Sequence, residues 1–196
     1  MISPKKSTED TDMLIDITLQ LTPEMIAEAG VERSMGGHIG THFDVMNKEF
    51  PLEFTKRKGI VFDVSRAAGR DVAPGDVDLS KVSRDMFAAF YTGFIERVGY
   101  GGAPYFGEHP QLSHELIDRL LDKGVSVIGI DFAGVRREAE HTAKDQYCAD
   151  RGAFVIENLC SLRRVLAHGD GSFTAHTYPM RCTGLTGLPC RVIAEL

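Results

Sequence analysis

Alternation of apolar and polar positions in residues 13–21 (MLIDITLQL) predicts a half-buried strand, and the polar, mixed-charge residues 1–12 before it predict a flexible tail. The folded domain is therefore expected to span residues 13–196. Thr22 followed by Pro23 offers an N-cap and a first helical position, which predicts a short helix or turn. Residues 59–64 (GIVFDV) read as a buried strand, and Pro74 and Gly75 punctuate a polar loop. The stretch from Asp78 through VSRDMFAAF predicts a helix. Residues 114–123 (HELIDRLLDK) predict another, with apolar positions at helical spacing and Gly124 as its stop. A near-continuous apolar run follows at residues 125–131 (VSVIGID), the mark of a strand covered on both faces. A polar helix over residues 137–151, a strand at 153–156 (AFVI) and further strands at 165–167, 173–178 and 191–194 complete the reading. The elements describe one mixed α/β domain in which strands outnumber helices. Such a fold serves many chemistries, so function has to be read from particular side chains.

Composition narrows the classes. Of 196 residues, 43% are hydrophobic and 26% charged, ordinary values for a globular domain with one sizeable core. A chain of this length buries roughly 70% of its unfolded surface without staples, so a bound metal is expected to serve chemistry instead of folding. The net charge is -6 and the basic residues are scattered, which argues against nucleic acid as a partner. No stretch approaches the ~20 apolar residues of a membrane helix, and residues 1–12 lack a secretory apolar core. The expectation is a cytoplasmic protein with no membrane partner. Cys148, Cys160, Cys182 and Cys190 form no CxxC pair and read as reduced, mostly buried thiols.

The chemistry concentrates at residues 36–44 (GGHIGTHFD). His38, His42 and Asp44 lie within one short run, and Gly36, Gly37 and Gly40 disfavour a regular helix there. A tight turn would bring two imidazoles and a carboxylate to a single point. That donor set suits Zn²⁺ or Mn²⁺, and Fe²⁺ less well.

At this run the sequence resembles the cyclase family of metal-dependent hydrolases, which includes bacterial kynurenine formamidase and isatin hydrolase. The family hallmark is HxGTHxDxPxH; His38, Gly40, Thr41, His42 and Asp44 match it, whereas Met46 stands in place of the proline and Lys48 in place of the last histidine. The resemblance extends over nearly the whole chain from Met13, through YTGF at 91–94, YFGEHPQLS at 105–113, VIGID at 127–131, VIENL at 155–159 and GLTGLPCRVIA at 184–194. It implies a single strand-rich domain of the swivelling β/β/α type and a homodimer or homotetramer. It also implies a small-molecule substrate and a divalent metal. In the family a further histidine, and an acid ahead of NL, complete the site. Glu157 matches the acid; Asp145 stands at the family's spacing for the histidine, while His141 lies one helical turn earlier, and His141 is the favoured of the two.

The resemblance implies hydrolysis of a C–N amide bond in a formamide or cyclic amide, with metal-activated water as nucleophile. The family's last histidine would handle protons, so its loss leaves Lys48, His141 and Glu157 as candidates for that work, Lys48 also serving as a positive clamp for an anionic substrate. Phe43, Phe50 and Phe54 are candidates to line an apolar pocket for a ring-bearing substrate. His109 is expected to position a loop, and His114, His168 and His176 carry no assigned role. Two other functions fit the same residues: a metal-binding member without catalysis, and a cyclase or dehydratase acting on a carbonyl substrate.

Overall fold

The computed structural model describes residues 13–67 and 69–196, without the side chains of residues 29–35, so the expected tail at 1–12 lies outside the described residues. In chain order the elements are β1 (Leu14–Asp16), α1 (Pro23–Gly36), β2 (His42–Asp44), β3 (Lys56–Asp63), β4 (Phe87–Tyr91), α2 (Phe94–Val98), α3 (Gly102–Gly107), α4 (His114–Asp122), β5 (Val127–Ile130), α5 (His141–Asp150), β6 (Phe154–Glu157), α6 (Leu162–Leu166), β7 (Ser172–Pro179) and β8 (Gly187–Glu195). The strands follow the order β1-β8-β2-β6-β5-β4-β3-β7, and β7 also pairs with β8. The sheet therefore closes into a barrel, with β1 laid beside β2 along one edge of β8. Strands β3, β4, β5 and β6 run parallel, and the remaining pairings are antiparallel.

Alternation along each strand sorts the side chains into two cores. Phe87 and Ala89 of β4 point into the barrel with Val61, Val127, Phe154 and Ile156. Their neighbours Ala88 and Phe90 point outward with Ile60, Ile128 and Val155, where α4 covers them. Burying one such aliphatic or aromatic side chain contributes about 1.5–3 kcal/mol. The barrel interior is tight enough that a Cβ at Gly129 would lie 2.3 Å from the Phe87 ring. Helix α4 presents Leu116, Ile117, Leu120 and Leu121 to the outer core, and the Ser113 hydroxyl caps it by accepting the Leu116 N–H at 3.1 Å.

Three sequence expectations are corrected. The helix expected through residues 78–90 is the strand β4 preceded by a 3-10 turn at Leu79–Lys81, because FAAF is an inward–outward alternation slotted between β3 and β5. The strand expected at 165–167 falls in α6, which buries Leu162 and Val165 three positions apart. The short helix or turn after Thr22 is the 14-residue α1, running through the first of the paired glycines. Of the four cysteines, all free, Cys148 and Cys190 are buried while Cys160 and Cys182 are half-buried. Among the described residues, no helix is long and apolar enough to cross a membrane.

Candidate metal centre

His42, Phe43 and Asp44 make up β2. Phe43 is fully buried in the barrel, so the two flanking side chains turn outward through its wall. Across the ladder, His42 pairs with Glu157 at the end of β6, whose outward face carries Val155 as well. Helix α5 passes over this stretch of wall with His141 and Asp145 one turn apart, and His38 enters from the loop behind α1. Two strands, one helix and one loop thus deliver six donor side chains to one place.

The ligand atoms form two groups, His38–His42–Asp44 and His141–Asp145–Glu157, each with its atoms within 4.8 Å of one another. His38 Nδ1 lies 3.0 Å from Asp44 Oδ1 and 3.2 Å from His42 Nε2. His42 Nε2 lies 3.4 Å from Asp44 Oδ1 and 3.6 Å from Glu157 Oε2. The other Glu157 oxygen sits 2.9 Å from His141 Nε2, which is also 3.2 Å from Asp145 Oδ2. Glu157 therefore spans the two groups. The far ring nitrogens are held from outside: His42 Nδ1–H donates to the Gly40 carbonyl, and His38 Nε2 is hydrogen-bonded to the Thr186 hydroxyl, each at 2.8 Å. A carbonyl can only accept, so the first bond fixes the His42 tautomer that aims Nε2 inward.

Charge is the dominant physics here. Asp44, Asp145 and Glu157 are all buried, as is His42. Burial lowers the tendency of His42 to hold a second proton, but Asp44 and then Glu157 outweigh it and raise its pKa to about 9. His141 behaves alike: burial opposes its charge, and the hydrogen bond and charge of Glu157 lift it to about 9. Burial pushes the Asp44 carboxyl up, yet His42 and His38 hold it well below the usual carboxylate range. Asp145 is pushed well above that range by burial and by the negative charge of Asp44. Asp44 Oδ2 and Asp145 Oδ1 are buried without a hydrogen-bond partner. A buried carboxylate oxygen left unpaired costs about 1–3 kcal/mol or more, and a divalent cation at either group would satisfy such an oxygen while balancing the acids. The residues fit such an ion, and the mix of imidazole and carboxylate donors suits Zn²⁺ or Mn²⁺.

A cleft of about 430 Å³ opens onto these groups. Met46, Phe106 and Ala133 give it apolar walls, and Thr142, Asn158 and Thr186 add polar ones. The expected aromatic lining is corrected: Phe43 is inside the barrel, Phe50 packs on Phe43 and Phe154, Phe54 packs on Phe50 and Phe154, and none of the three lines the cleft. Lys48 is corrected too. Met46 adopts a left-handed φ of 57°, the chain turns away, and Lys48 Nζ pairs with Asp150 at 2.6 Å on the surface end of α5. His109 packs flat on Phe132, donates from Nδ1 to the Pro110 carbonyl at 2.7 Å, and is pushed down to about 4 by burial.

Sequence reasoning passed over Asn158, Tyr105 and Thr186. Asn158, left-handed at φ 60°, donates from Nδ2 to the Gly40 carbonyl at 2.8 Å and accepts the Tyr105 hydroxyl at 2.7 Å. Its own carbonyl accepts the Thr41 hydroxyl at 2.8 Å, so one asparagine ties down the turn that carries His42. The available signal was an asparagine directly after an apolar strand, a residue that tolerates the left-handed conformation.

A closed mixed barrel bearing a cation-ready cluster of histidines and carboxylates on its outer wall is the class of protein these features define. The Cyclase family model matches residues 15–136, and the chain belongs to that family. No curated protein sequence matches significantly. Among solved structures, one described as a potential metal-dependent hydrolase with cyclase activity is similar with a TM-score of 0.74 and 19% identity, over 94% of this chain and 98% of that one. Isatin hydrolase A from Labrenzia aggregata, bound to benzyl benzoate, gives 0.72 and 17%, covering 94% of each chain. A predicted metal-dependent hydrolase from Bacillus stearothermophilus gives 0.69 and 18%, over 94% and 98%. At such identities the likeness shows the shared fold.

Proposed function

We propose that this chain is a metal-dependent hydrolase that cleaves the C–N bond of a formamide or cyclic amide. The observation that carries the reading is the convergence of His38, His42 and Asp44 with His141, Asp145 and Glu157 around two buried carboxylate oxygens that lack partners. His38 Nδ1, His42 Nε2 and Asp44 would hold the cation, with Glu157 reaching it from β6. When bound, a divalent ion polarises a carbonyl and lowers the pKa of water to about 7.

The chain's own residues supply the rest. His141 keeps a proton at Nε2 between Glu157 and Asp145, and its ring edge borders the cleft, which suits it to protonate a departing nitrogen. Lys48, engaged by Asp150, stays out of this exchange. Met46, Phe106 and Ala133 would take the apolar body of the substrate and exclude water from it. Neither Lys nor Arg lines the cleft among the described residues, which favours a neutral amide over a carboxylate-bearing one.

The test is elemental analysis of untagged protein followed by turnover of a panel of formamides, lactams and cyclic imides, with products read by mass. Stoichiometric Zn or Mn is expected, together with a ring-opened product heavier by one water from a lactam or imide, or an amine lighter by CO plus free formate from a formamide. A product lighter by one water would replace hydrolysis with dehydration, and retained metal without any turnover would mark a non-catalytic member.

A further inference from the structure

The β7–β8 hairpin approaches the metal centre at one point, residues 186–187, and both residues touch the ligand-bearing run. The Thr186 hydroxyl is 2.8 Å from His38 Nε2. Its carbonyl accepts the backbone N–H groups of Val45 at 2.9 Å and Met46 at 3.0 Å, immediately after Asp44. One residue therefore grips both ends of the stretch from His38 to Asp44. The next residue sets the fit: a Cβ at Gly187 would lie 2.8 Å from the Gly37 backbone and 3.0 Å from His38 Cγ. A Cβ at Gly37, itself left-handed at φ 81°, would lie 2.0 Å from the Gly187 carbonyl oxygen. Two glycines in backbone contact leave the His38 ring no room to slide along the hairpin.

His38 has need of such a hold. It comes from a loop, its side chain is 32% exposed, and the ligand nitrogen facing Asp44 is Nδ1. An imidazole is free to exchange its proton between the two nitrogens unless one is claimed, and a proton on Nδ1 would block the lone pair. We infer that Thr186 is a positioning residue for the metal centre, its hydroxyl accepting the Nε2 proton of His38 and so keeping Nδ1 open as a ligand. This rests on the proposed metal-dependent function for its purpose, though the hydrogen bond itself does not. The effect belongs at the lower end of what outer-shell partners of metal-bound histidines give, because the hydroxyl is open to solvent.

The experiment compares wild type with Thr186→Val, which keeps shape and backbone but removes the acceptor, and Thr186→Ser, which restores it. Zn²⁺ affinity is measured by chelator competition. Thr186→Val should bind roughly tenfold more weakly, with Thr186→Ser within about threefold of wild type. Equal affinity in wild type and Thr186→Val, or an equal loss in both variants, overturns the inference while leaving the proposed function standing. Side-chain ¹⁵N–¹H spectra of the Zn²⁺-loaded proteins provide the second measurement. The His38 Nε2–H should be a hydrogen-bonded, slowly exchanging proton in wild type and Thr186→Ser and exchange faster in Thr186→Val, and identical spectra overturn the inference. If wild type takes up neither Zn²⁺ nor Mn²⁺, the proposed function falls and the inference with it.

Discussion

Replacing Phe43 tests the register on which the whole site depends. A one-residue slip of β2 would send Phe43 out to the cleft and pull His42 and Asp44 into the barrel. In the observed register Phe43 is 0% exposed, with its ring centroid 4.9 Å from that of Phe50 and 6.4 Å from that of Phe154. Truncation to alanine leaves a cavity the closed barrel cannot fill, at a cost of about 3–5 kcal/mol. For a chain of this size each kcal/mol moves the melting temperature about 2–4 °C, so Phe43→Ala should lower it by about 6–20 °C. Phe43→Leu keeps most of the volume and loses mainly ring contacts, about 1–2 kcal/mol, or about 2–8 °C. Thermal unfolding of metal-free protein measures both. Substrate titration of Phe43→Leu, which should still fold, supplies the discriminating number: KM unchanged within about threefold, since the side chain never meets the cleft. A melting temperature equal to wild type, together with a large rise in KM, would refute the inward placement. The outward placement of His42 and Asp44 would fall with it.

Other outcomes follow from the same geometry. His42→Ala should lose its metal on dialysis and all turnover; retained metal with full activity would remove the proposed function. Lys48→Ala breaks only a partly exposed pair with Asp150, so stability should change by no more than about 1 kcal/mol and kcat/KM by less than about threefold, whereas a hundredfold loss would return Lys48 to the chemistry. His109 should make the protein acid-sensitive. Burial pushes it down to about 4 from an ordinary 6.5, so the folded state resists a proton that the unfolded chain accepts. Its contribution is intact above pH 6.5 and is lost as pH falls toward 4, by up to about 3 kcal/mol. Urea titrations of wild type and His109→Gln across that window should converge as pH falls; a constant difference would contradict the assignment.

What could be read from the chain depended on how local the cause was. The turn at residues 36–44 was legible because its histidines, aspartate and glycines are a few positions apart and their side-chain chemistry is distinctive. The strand FAAF was not, since a short apolar run with alanines suits a helix equally well until β3 and β5 claim it from either side. The strand expected at 165–167 failed in the same way: a three-residue apolar run carries no period of its own, and α6 follows the left-handed Ser161 with Leu162 and Val165 on one face. The direction of Phe43 could have been taken from β2 itself, where two outward ligands at alternate positions force the residue between them inward. Lys48 could not be placed, because its path depends on the left-handed Met46 and on an aspartate more than a hundred positions away. The contact between Thr186 and His38 spans a similar distance and exists only once β8 lies beside β2.

A domain that buries Asp44, Asp145 and Glu157 in one patch has to balance them, and the wall of the barrel offers little to do it with. No arginine or lysine reaches the cluster among the described residues, and backbone donors of β2 and β6 are spent on the ladder. The balance available to the bare chain is protonation, which is why His42 and His141 both hold protons up to about 9. That solution is incomplete, because Asp44 Oδ2 and Asp145 Oδ1 still lack partners. A cation would take the same lone pairs and displace the protons they hold. The burial that makes these acids costly to the fold is therefore the same property that would favour a divalent ion in the patch.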